Sequence, residues 1–129
     1  MALIRMPVVL LLVAVSAGCG DSLCQDYEHS RITSPDMVVD ALVVTRDCGA
    51  TSDTAYRIYV VRAGDTYGGN PLFNADRVDG LDISWIAPKR LMISYRQARI
   101  FNFSNFWHSK EVENFKYVVS VVEVEKSIK

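Results

Sequence analysis

Three cysteines, Cys19, Cys24 and Cys48, are the residues of this chain with the clearest chemistry. Thiols carry lipids, pair in disulfides or bind metal ions, and their spacing helps to separate these roles. A bond between Cys24 and Cys48 would close a loop of about 25 residues and stabilise a small domain by about 3 kcal/mol. The alternative is a metal site shared with His29 or His108. Zinc sites prefer close pairs such as C-x-x-C, which the chain lacks, so the spacing favours the disulfide.

The first 18 residues have the order of a secretory signal. Arg5 supplies one positive charge, Val8 to Val15 is apolar, and residues 16–18 are small. Charged, apolar and small segments in this order direct a chain to export. The apolar run is too short to span a bilayer as a helix, which takes about 20 residues. We therefore predict that residues 1–18 are a signal peptide.

Cys19 follows the small residues directly, and the segment thereby resembles the signals of bacterial lipoproteins. In that family a cysteine takes the lipid and becomes the new N-terminus. The Leu that usually stands three positions earlier is Ser16 here. The resemblance implies acyl chains on Cys19, which anchor a protein by burying methylenes at about 0.8 kcal/mol each. We predict a lipid anchor in the bacterial cell envelope, with the domain facing the periplasm or the exterior; an ordinary secreted protein cleaved nearby is the alternative.

The 111 residues after position 18 suffice for one domain with a core of its own. They carry 13 basic and 15 acidic residues, because the signal holds one arginine and no acid. That balance gives no reason to expect a nucleic-acid partner. We assign the mostly polar residues 19–32 to a tether behind the lipid and residues 33–129 to the domain.

Apolar residues recur with the two-residue period of strands through most of the domain. Met37–Arg46 is apolar on both faces for much of its length, interrupted by Asp40, which predicts a strand buried on both sides. Leu81–Ala87 and Arg90–Arg96 alternate around a short turn and predict a hairpin, with Trp85 on its packed face. No segment keeps a helical period for longer than a turn. The sequence therefore predicts an all-β domain: a single small antiparallel sandwich, or a curled sheet or barrel.

Several motifs resemble an uncharacterised family of small bacterial secreted proteins and lipoproteins. The shared motifs are S-P-D at Ser34–Asp36, D-C-G-A-T at Asp47–Thr51, Trp85, and L-x-I-x-Y at Leu91–Tyr95. The family pattern reads S-P-D-G, and Met37 stands in the place of that glycine. The resemblance spans roughly residues 24–95. It implies a β domain and a disulfide-like pair of Cys24 and Cys48, and it carries no established activity.

No catalytic constellation is visible in the sequence. His29 and His108 are the only histidines, and neither has a nucleophile or a carboxylate beside it in a motif. The glycine-rich stretch Gly64–Gly69 lacks the lysine and the strand-to-helix context of a phosphate loop and indicates a turn. We predict that the protein is not an enzyme and has no catalytic residues and no cofactor.

Two further groups could hold a ligand. Asp76, Asp79 and Asp82 are spaced by three and could bind calcium, but strand alternation would divide them between two faces, which favours a solvated acidic turn and no metal. The aromatics around position 104 could line an apolar groove, although aromatics at alternate positions usually belong to the core. These aromatics are Phe101, Phe103, Phe106 and Trp107.

These features lead to hypotheses of different classes. The first is a membrane-anchored lipoprotein whose small β domain binds a protein outside the cytoplasm, because recognition commonly uses the exposed parts of a rigid scaffold. A specific version is a periplasmic inhibitor or immunity protein that blocks a hostile enzyme. The other is a structural accessory of the envelope. The membrane, reached through Cys19, and an envelope or periplasmic protein are the predicted partners, and the ligand-binding residues stay unknown at this level.

Overall fold

The computed structural model of the chain describes residues 24–49 and 53–126. These residues form nine strands and one 3-10 turn, so the all-β class is confirmed. The strands are β1 (Gln25–Thr33), β2 (Val39–Asp47), β3 (Ala55–Arg62), β4 (Phe73–Asp79), β5 (Asp82–Ala87), β6 (Arg90–Tyr95), β7 (Gln97–Phe103), β8 (Phe106–Trp107) and β9 (Val119–Glu125), and the turn is Glu113–Phe115. Within the described ranges, no helix is long and apolar enough to cross a bilayer.

The strands divide into two sheets. One has five strands in the order β1-β2-β3-β4-β7, and the other has four in the order β5-β6-β9-β8. The sheets do not close into a barrel, which leaves the sandwich among the predicted architectures. Every pairing is antiparallel except the parallel pair of β6 and β9. A parallel pair needs a crossover connection, and β7, β8 and the following loop supply it.

The main core lies between the two sheets. Its buried members come from strands of both sheets and include Val39, Ala41, Val43, Ile58, Phe73, Ile83, Leu91, Ile93, Val119 and Val121. The predicted hairpin is present as β5 and β6, and Leu91, Ile93 and Tyr95 point into this core as their alternation indicates. Burying one such aliphatic or aromatic side chain contributes about 1.5–3 kcal/mol, so this cluster holds the sheets together.

The strand β2 is buried on both faces, as its sequence predicts. Leu42 and Val44 point away from the main core and form a second cluster with Tyr59 of β3. The loop after β3 covers this cluster, because the ring of Tyr67 packs on that of Tyr59 with centroids 5.0 Å apart. Asp40, which interrupts the apolar pattern, is buried at the edge of this covered face.

The strand β1 corrects the predicted extent of the tether. Residues 25–32, which the sequence assigns to the tether, form most of β1 and pair with β2. The prediction missed this strand because β1 is the edge of its sheet and most of its side chains are exposed, so they need no apolar alternation. The sheet domain therefore begins at Gln25 instead of Thr33.

Trp85 is half-buried, whereas its place in the hairpin predicted a side chain fully inside the packed face. Its ring packs against the main core, and its indole N–H donates to the carbonyl oxygen of Ile32, 2.9 Å away. Since β1 and β5 lie in different sheets, this bond joins the edges of the two sheets. Trp85 thus packs against the core and also links β1 to β5 through a hydrogen bond.

The two ends of the sandwich can be followed from the strand directions. β1 begins and β2 ends at the end that holds Cys24, and we call it the Cys24 end. The opposite end holds the turn from β1 to β2 and the turn from β5 to β6, and we call it the Met37 end. The Tyr117 hydroxyl joins these turns, because it donates to Asp36 Oδ2 at 2.5 Å and lies 3.2 Å from the carbonyl oxygen of Pro88.

The S-P-D motif forms the first of these turns. The Ser34 hydroxyl accepts a hydrogen bond from the Val39 amide at 3.2 Å, and the Ser34 carbonyl accepts one from the Met37 amide at 2.8 Å. Met37 adopts φ 62°, a left-handed conformation that glycine adopts without cost. Met37 therefore stands at a turn position whose backbone conformation suits glycine.

Candidate protein-binding surface

The two cysteines of the predicted pair meet at the Cys24 end. Gln25 pairs with Asp47 in the β1–β2 ladder. Cys24 precedes Gln25 and Cys48 follows Asp47, so this pairing places the two cysteines opposite each other. The sulfur atoms of Cys24 and Cys48 are at disulfide distance, 2.07 Å apart. Cys19, the predicted lipidation site, lies outside the described residues.

The two histidines lie far apart in the fold. His29 is exposed on β1, and His108 is exposed after β8, where its ring makes edge contacts with Phe106 and Phe115 at 5.5 and 5.0 Å between centroids. Neither has a side-chain hydrogen bond to a Ser, Cys or carboxylate group among the described residues. The structure thus places one histidine beside the edge of a sheet and the other in an aromatic cluster.

The three spaced aspartates are not brought together. Asp76 pairs with Arg99 at 2.5 Å and Asp79 with Arg96 at 2.9 Å, while Asp82 is exposed at the start of β5. The pKa of Asp76 is lowered, chiefly by its hydrogen bond from Arg99. Among residues 24–49 and 53–126, no group of three His, Cys, Asp or Glu side chains is arranged to hold a metal ion.

The aromatic residues around position 104 divide between core and surface. Phe103 and Trp107 pack against the main core, as the core interpretation expects. Phe101 and Phe106 are exposed instead. Phe101 leaves the expected face because the β4–β7 ladder shifts register beside it, with Asn102 paired to Asn74 and Ile100 to Ala75. Such a bulge breaks the strict alternation on which the prediction rests.

The outward-facing side of the four-stranded sheet is the most unusual surface of the domain. We call it the apolar outer face; its members are Ile86, Met92, Phe106, Val118, Val122 and Val124. Four of them are large and substantially exposed: Ile86 (50%), Phe106 (48%), Val124 (43%) and Val118 (42%). The strand pairing interleaves these residues with serines, because Ser84, Met92 and Val122 form one cross-strand row and Asp82, Ser94 and Val124 form the next.

Charged groups are confined to the borders of this face. Along β5, β6, β8 and β9 the outward positions hold only two charges, Arg90 at the Met37 end and Asp82 at the Cys24 end. A solvated face of an antiparallel sheet ordinarily alternates toward polar residues. A sheet face with so few charges and several exposed apolar residues is a candidate interaction surface.

A strained turn extends the face at the Met37 end. Glu113, Asn114 and Phe115 have φ values of 51°, 49° and 68°, so three consecutive residues with side chains are left-handed. This conformation costs about 1–2 kcal/mol per residue. The turn is held by the Ser109 carbonyl, which accepts the amides of Val112 and Phe115 at 3.2 and 3.0 Å. The turn places the exposed ring of Phe115 beside His108.

Cations flank the same region. Lys89, Arg90 and Lys116 are exposed near the start of β9, where the Ser120 amide donates to the Lys89 carbonyl at 2.8 Å. None of the three forms an ion pair with another described residue. The ammonium group of Lys89 lies 4.9 Å from the centre of the Tyr117 ring. The border of the face at the Met37 end therefore carries uncompensated positive charge.

Sequence reasoning missed this surface, although the signal for it is present. Met92 and Val122 alternate with core residues that define the inward face, so the outward positions at the centre of β6 and β9 are also apolar. That pattern predicts a strand covered on both sides. The described structure covers only one side.

The chain matches no protein-family model, no curated protein and no solved structure.

Proposed function

We propose that the protein is a lipid-anchored module of the bacterial cell envelope that binds another protein through the apolar outer face. The observation that carries this proposal is the outward side of the four-stranded sheet, which between Arg90 and Asp82 carries no charge and exposes several large apolar residues. Burial of apolar area against a partner contributes about 25 cal/mol per Å², and four of the nine large exposed apolar residues of the described chain lie on this face.

The charges at the border define the partner further. Lys89, Arg90 and Lys116 would each lose hydration on contact, and an acidic group opposite them would offset that cost. The partner is therefore a protein with an apolar surface bordered by Asp or Glu. Phe115 is the expected anchor residue, because exposed aromatics on a rigid support contribute most to such interfaces.

The strained turn supports the same assignment. Left-handed residues with side chains persist only where the surroundings hold them, and they gather at functional sites. Val112 and Tyr117, both buried, fix the two sides of the turn to the core. The cost of the strain is offset by these contacts, and its benefit is a fixed position for Phe115 before any partner arrives.

The position of the face suits an anchored protein. The predicted lipid site lies five residues before Cys24, whereas Phe115 and the three cations lie toward the Met37 end. A domain held at its Cys24 end would present the Met37 end away from the bilayer. The partner is then expected among envelope or periplasmic proteins instead of lipids.

Site-specific photo-crosslinking in intact membranes tests the proposal. A photoreactive amino acid replaces Val118 on the apolar outer face or, as the matched control, the exposed Tyr27 on β1. We expect one discrete adduct with a different protein from position 118 and none from position 27. Lys116→Glu should weaken that adduct. An adduct made only of two copies of this chain, or equal adducts from both positions, would contradict the proposal.

The anchor is tested separately. Cys19→Ala should abolish labelling by radioactive or clickable fatty acid and release the processed chain or leave it as precursor. Unchanged acyl labelling in this variant would refute the lipid assignment and leave the binding surface unaffected. Non-reducing peptide mapping of the same preparation should recover Cys24 and Cys48 in one linked pair.

A further inference from the structure

A cleft of about 420 Å³ opens on the side of the sandwich between β1 and β5. On the other side the chain passes directly from β7 into β8 and so joins the two sheets, but β1 and β5 are the unpaired edges of theirs. The apolar walls of the cleft are Ile32, Val43, Tyr56, Val78, Leu81 and Ile83. Val43 and Ile83 belong to the main core, so the cleft reaches into the space between the sheets.

Three polar side chains also line the cleft. They are those of His29 and Ser30 on β1 and of Asp82 at the start of β5, and the exposure of His29 and Asp82 places these two at its rim. His29 is the extra residue of a bulge, because Glu28 pairs with Val44 and Ser30 pairs with Val43. A bulge at a sheet edge redirects a side chain that regular pairing would place elsewhere. Apolar walls with a few polar side chains are the usual composition of a small-molecule site, and the volume falls within the usual range of about 300–1,000 Å³.

We propose that this cleft binds a small amphiphile with an apolar body and an uncharged or cationic head. The apolar body would lie between Val43 and Ile83, and the head would remain at the mouth. Asp82 is exposed and makes no ion pair with another described residue. Its carboxylate accepts hydrogen bonds from an amine or hydroxyl group and repels an anionic head, and the imidazole of His29 supplies a further hydrogen-bonding group.

This site is distinct from the apolar outer face. The cleft opens between the inward faces of the sheets at one edge, whereas the apolar outer face lies on the opposite side of the four-stranded sheet. Asp82, at the start of the edge strand β5, is the one residue assigned to both sites. The tests of the two proposals otherwise use different residues, so each proposal can fail without the other.

Two related fluorophores test the cleft and the sign of its preference. The probes are N-phenyl-1-naphthylamine, which is neutral, and 8-anilinonaphthalene-1-sulfonate, which shares its ring system and carries a negative charge. Both brighten in apolar surroundings. They are titrated into the full mature chain carrying Cys19→Ser, which removes the lipid and keeps all other residues. We expect one site per chain for the neutral probe and binding of the sulfonate weaker by about tenfold. Asp82→Asn should narrow that difference.

Tryptophan substitutions locate the binding. Ser30→Trp fills the cleft from the edge strand without removing a core side chain, and Leu81→Trp fills it from the other wall. Ser120→Trp adds the same ring to the apolar outer face and serves as the control. We expect the neutral probe to lose affinity about tenfold or more in both cleft variants and to keep it in the control. Circular dichroism melts establish that each variant is folded. Loss in the Ser120 variant alone, absence of binding to the parent chain, or equal affinity for both probes would overturn the proposal.

Discussion

The outer face of the five-stranded sheet is partly covered by the chain, whereas the outer face of the four-stranded sheet is exposed. On the five-stranded sheet, Leu42, Val44 and Tyr59 are buried, because the loop after β3 folds back and packs Tyr67 on Tyr59. On the four-stranded sheet, residues of comparable apolarity remain exposed, and Phe106 is a clear example. No described segment of the chain lies over them.

The difference shows what the chain does when it must bury an apolar sheet face on its own. The covering loop is tied down by polar contacts: Arg31 donates to the carbonyl of Asp65 at 3.0 Å, and Asp40 accepts the Gly64 amide at 2.9 Å. The four-stranded sheet has no such loop in the described ranges. Its exposed apolar residues are thus more readily explained by a partner than by folding, which is why the comparison supports a binding surface.

Matched truncations on the two faces test this reading most directly. Tyr59→Ala removes a buried ring and should lower the free energy of unfolding by about 3 kcal/mol. Phe106→Ala removes an exposed ring and should change it by about 0.5 kcal/mol or less. Urea unfolding of both variants measures the difference. Similar losses in the two variants would show that Phe106 is part of the folded core and would remove it from the proposed interface.

The polar ties of the covered face give it a pH dependence. Burial alone would raise the pKa of Asp40, but the hydrogen bond from the Gly64 amide, the nearby Thr33 side chain and the hydrogen bond from Arg31 outweigh it and lower the pKa. A carboxyl group with a lowered pKa in the folded state stabilises the fold above its ordinary pKa of about 4 and loses that contribution as the pH falls through the lowered value. Stability should therefore decline below about pH 4.

Asp40→Asn isolates this contribution. It removes the buried carboxylate 2.8 Å from Arg31, which keeps its ion pair with Glu28, and should cost about 2 kcal/mol at neutral pH. The variant should also lose less stability than the parent between neutral and acidic pH, as measured by thermal melts. If the variant loses as much stability at acidic pH as the parent, other carboxylates control the acid transition. One of them is Asp36, which accepts a hydrogen bond from Tyr117.

The strands that could be predicted from the sequence are those in which burial forces apolar residues to recur at regular positions. β2, β5 and β6 were predictable, because core burial on one or both faces forces apolar residues to recur. β1 was not, because an exposed edge strand imposes no such pattern and its residues are polar. The parallel pairing of β9 with β6 depends on how the chain crosses between sheets, which no local pattern records.

The candidate surface was harder to predict than the fold. Phe106 and Val118 are apolar, and a sequence does not distinguish an apolar residue that is buried from one that waits for a partner. The left-handed turn at Glu113–Phe115 contains no glycine, so nothing marks it as unusual. The cysteine pair was the easiest to foresee, because its partners are few and the register of β1 and β2 brings them together.

Trp85 tests how firmly the open edge of the sandwich is held. Trp85→Phe keeps an aromatic ring against the core and removes the bond to the Ile32 carbonyl, so it should cost about 1 kcal/mol. Trp85→Ala should cost more, but less than the 3–5 kcal/mol typical of a fully buried aromatic, because the ring is half-buried. Thermal unfolding of the two variants separates the bond from the packing. A phenylalanine variant as stable as the parent would show that this hydrogen bond between β1 and β5 does not stabilise the fold.

The smallest expected effect on stability comes from relieving the backbone strain of left-handed residues. Two such residues allow a role of the strain in folding to be compared with a role in binding. Met37 and Glu113 are both left-handed, with φ values of 62° and 51°, but Met37 lies in the turn of the five-stranded sheet and Glu113 beside the apolar outer face. Glycine relieves the strain in each case, and Met37→Gly and Glu113→Gly should each stabilise the fold by about 0.5–1 kcal/mol. Only Glu113→Gly should weaken the crosslinked adduct formed from position 118, because it frees the turn that positions Phe115. Paired melts and crosslinking yields measure both effects. Equal adducts from the two variants would show that the strained turn plays no part in recognition.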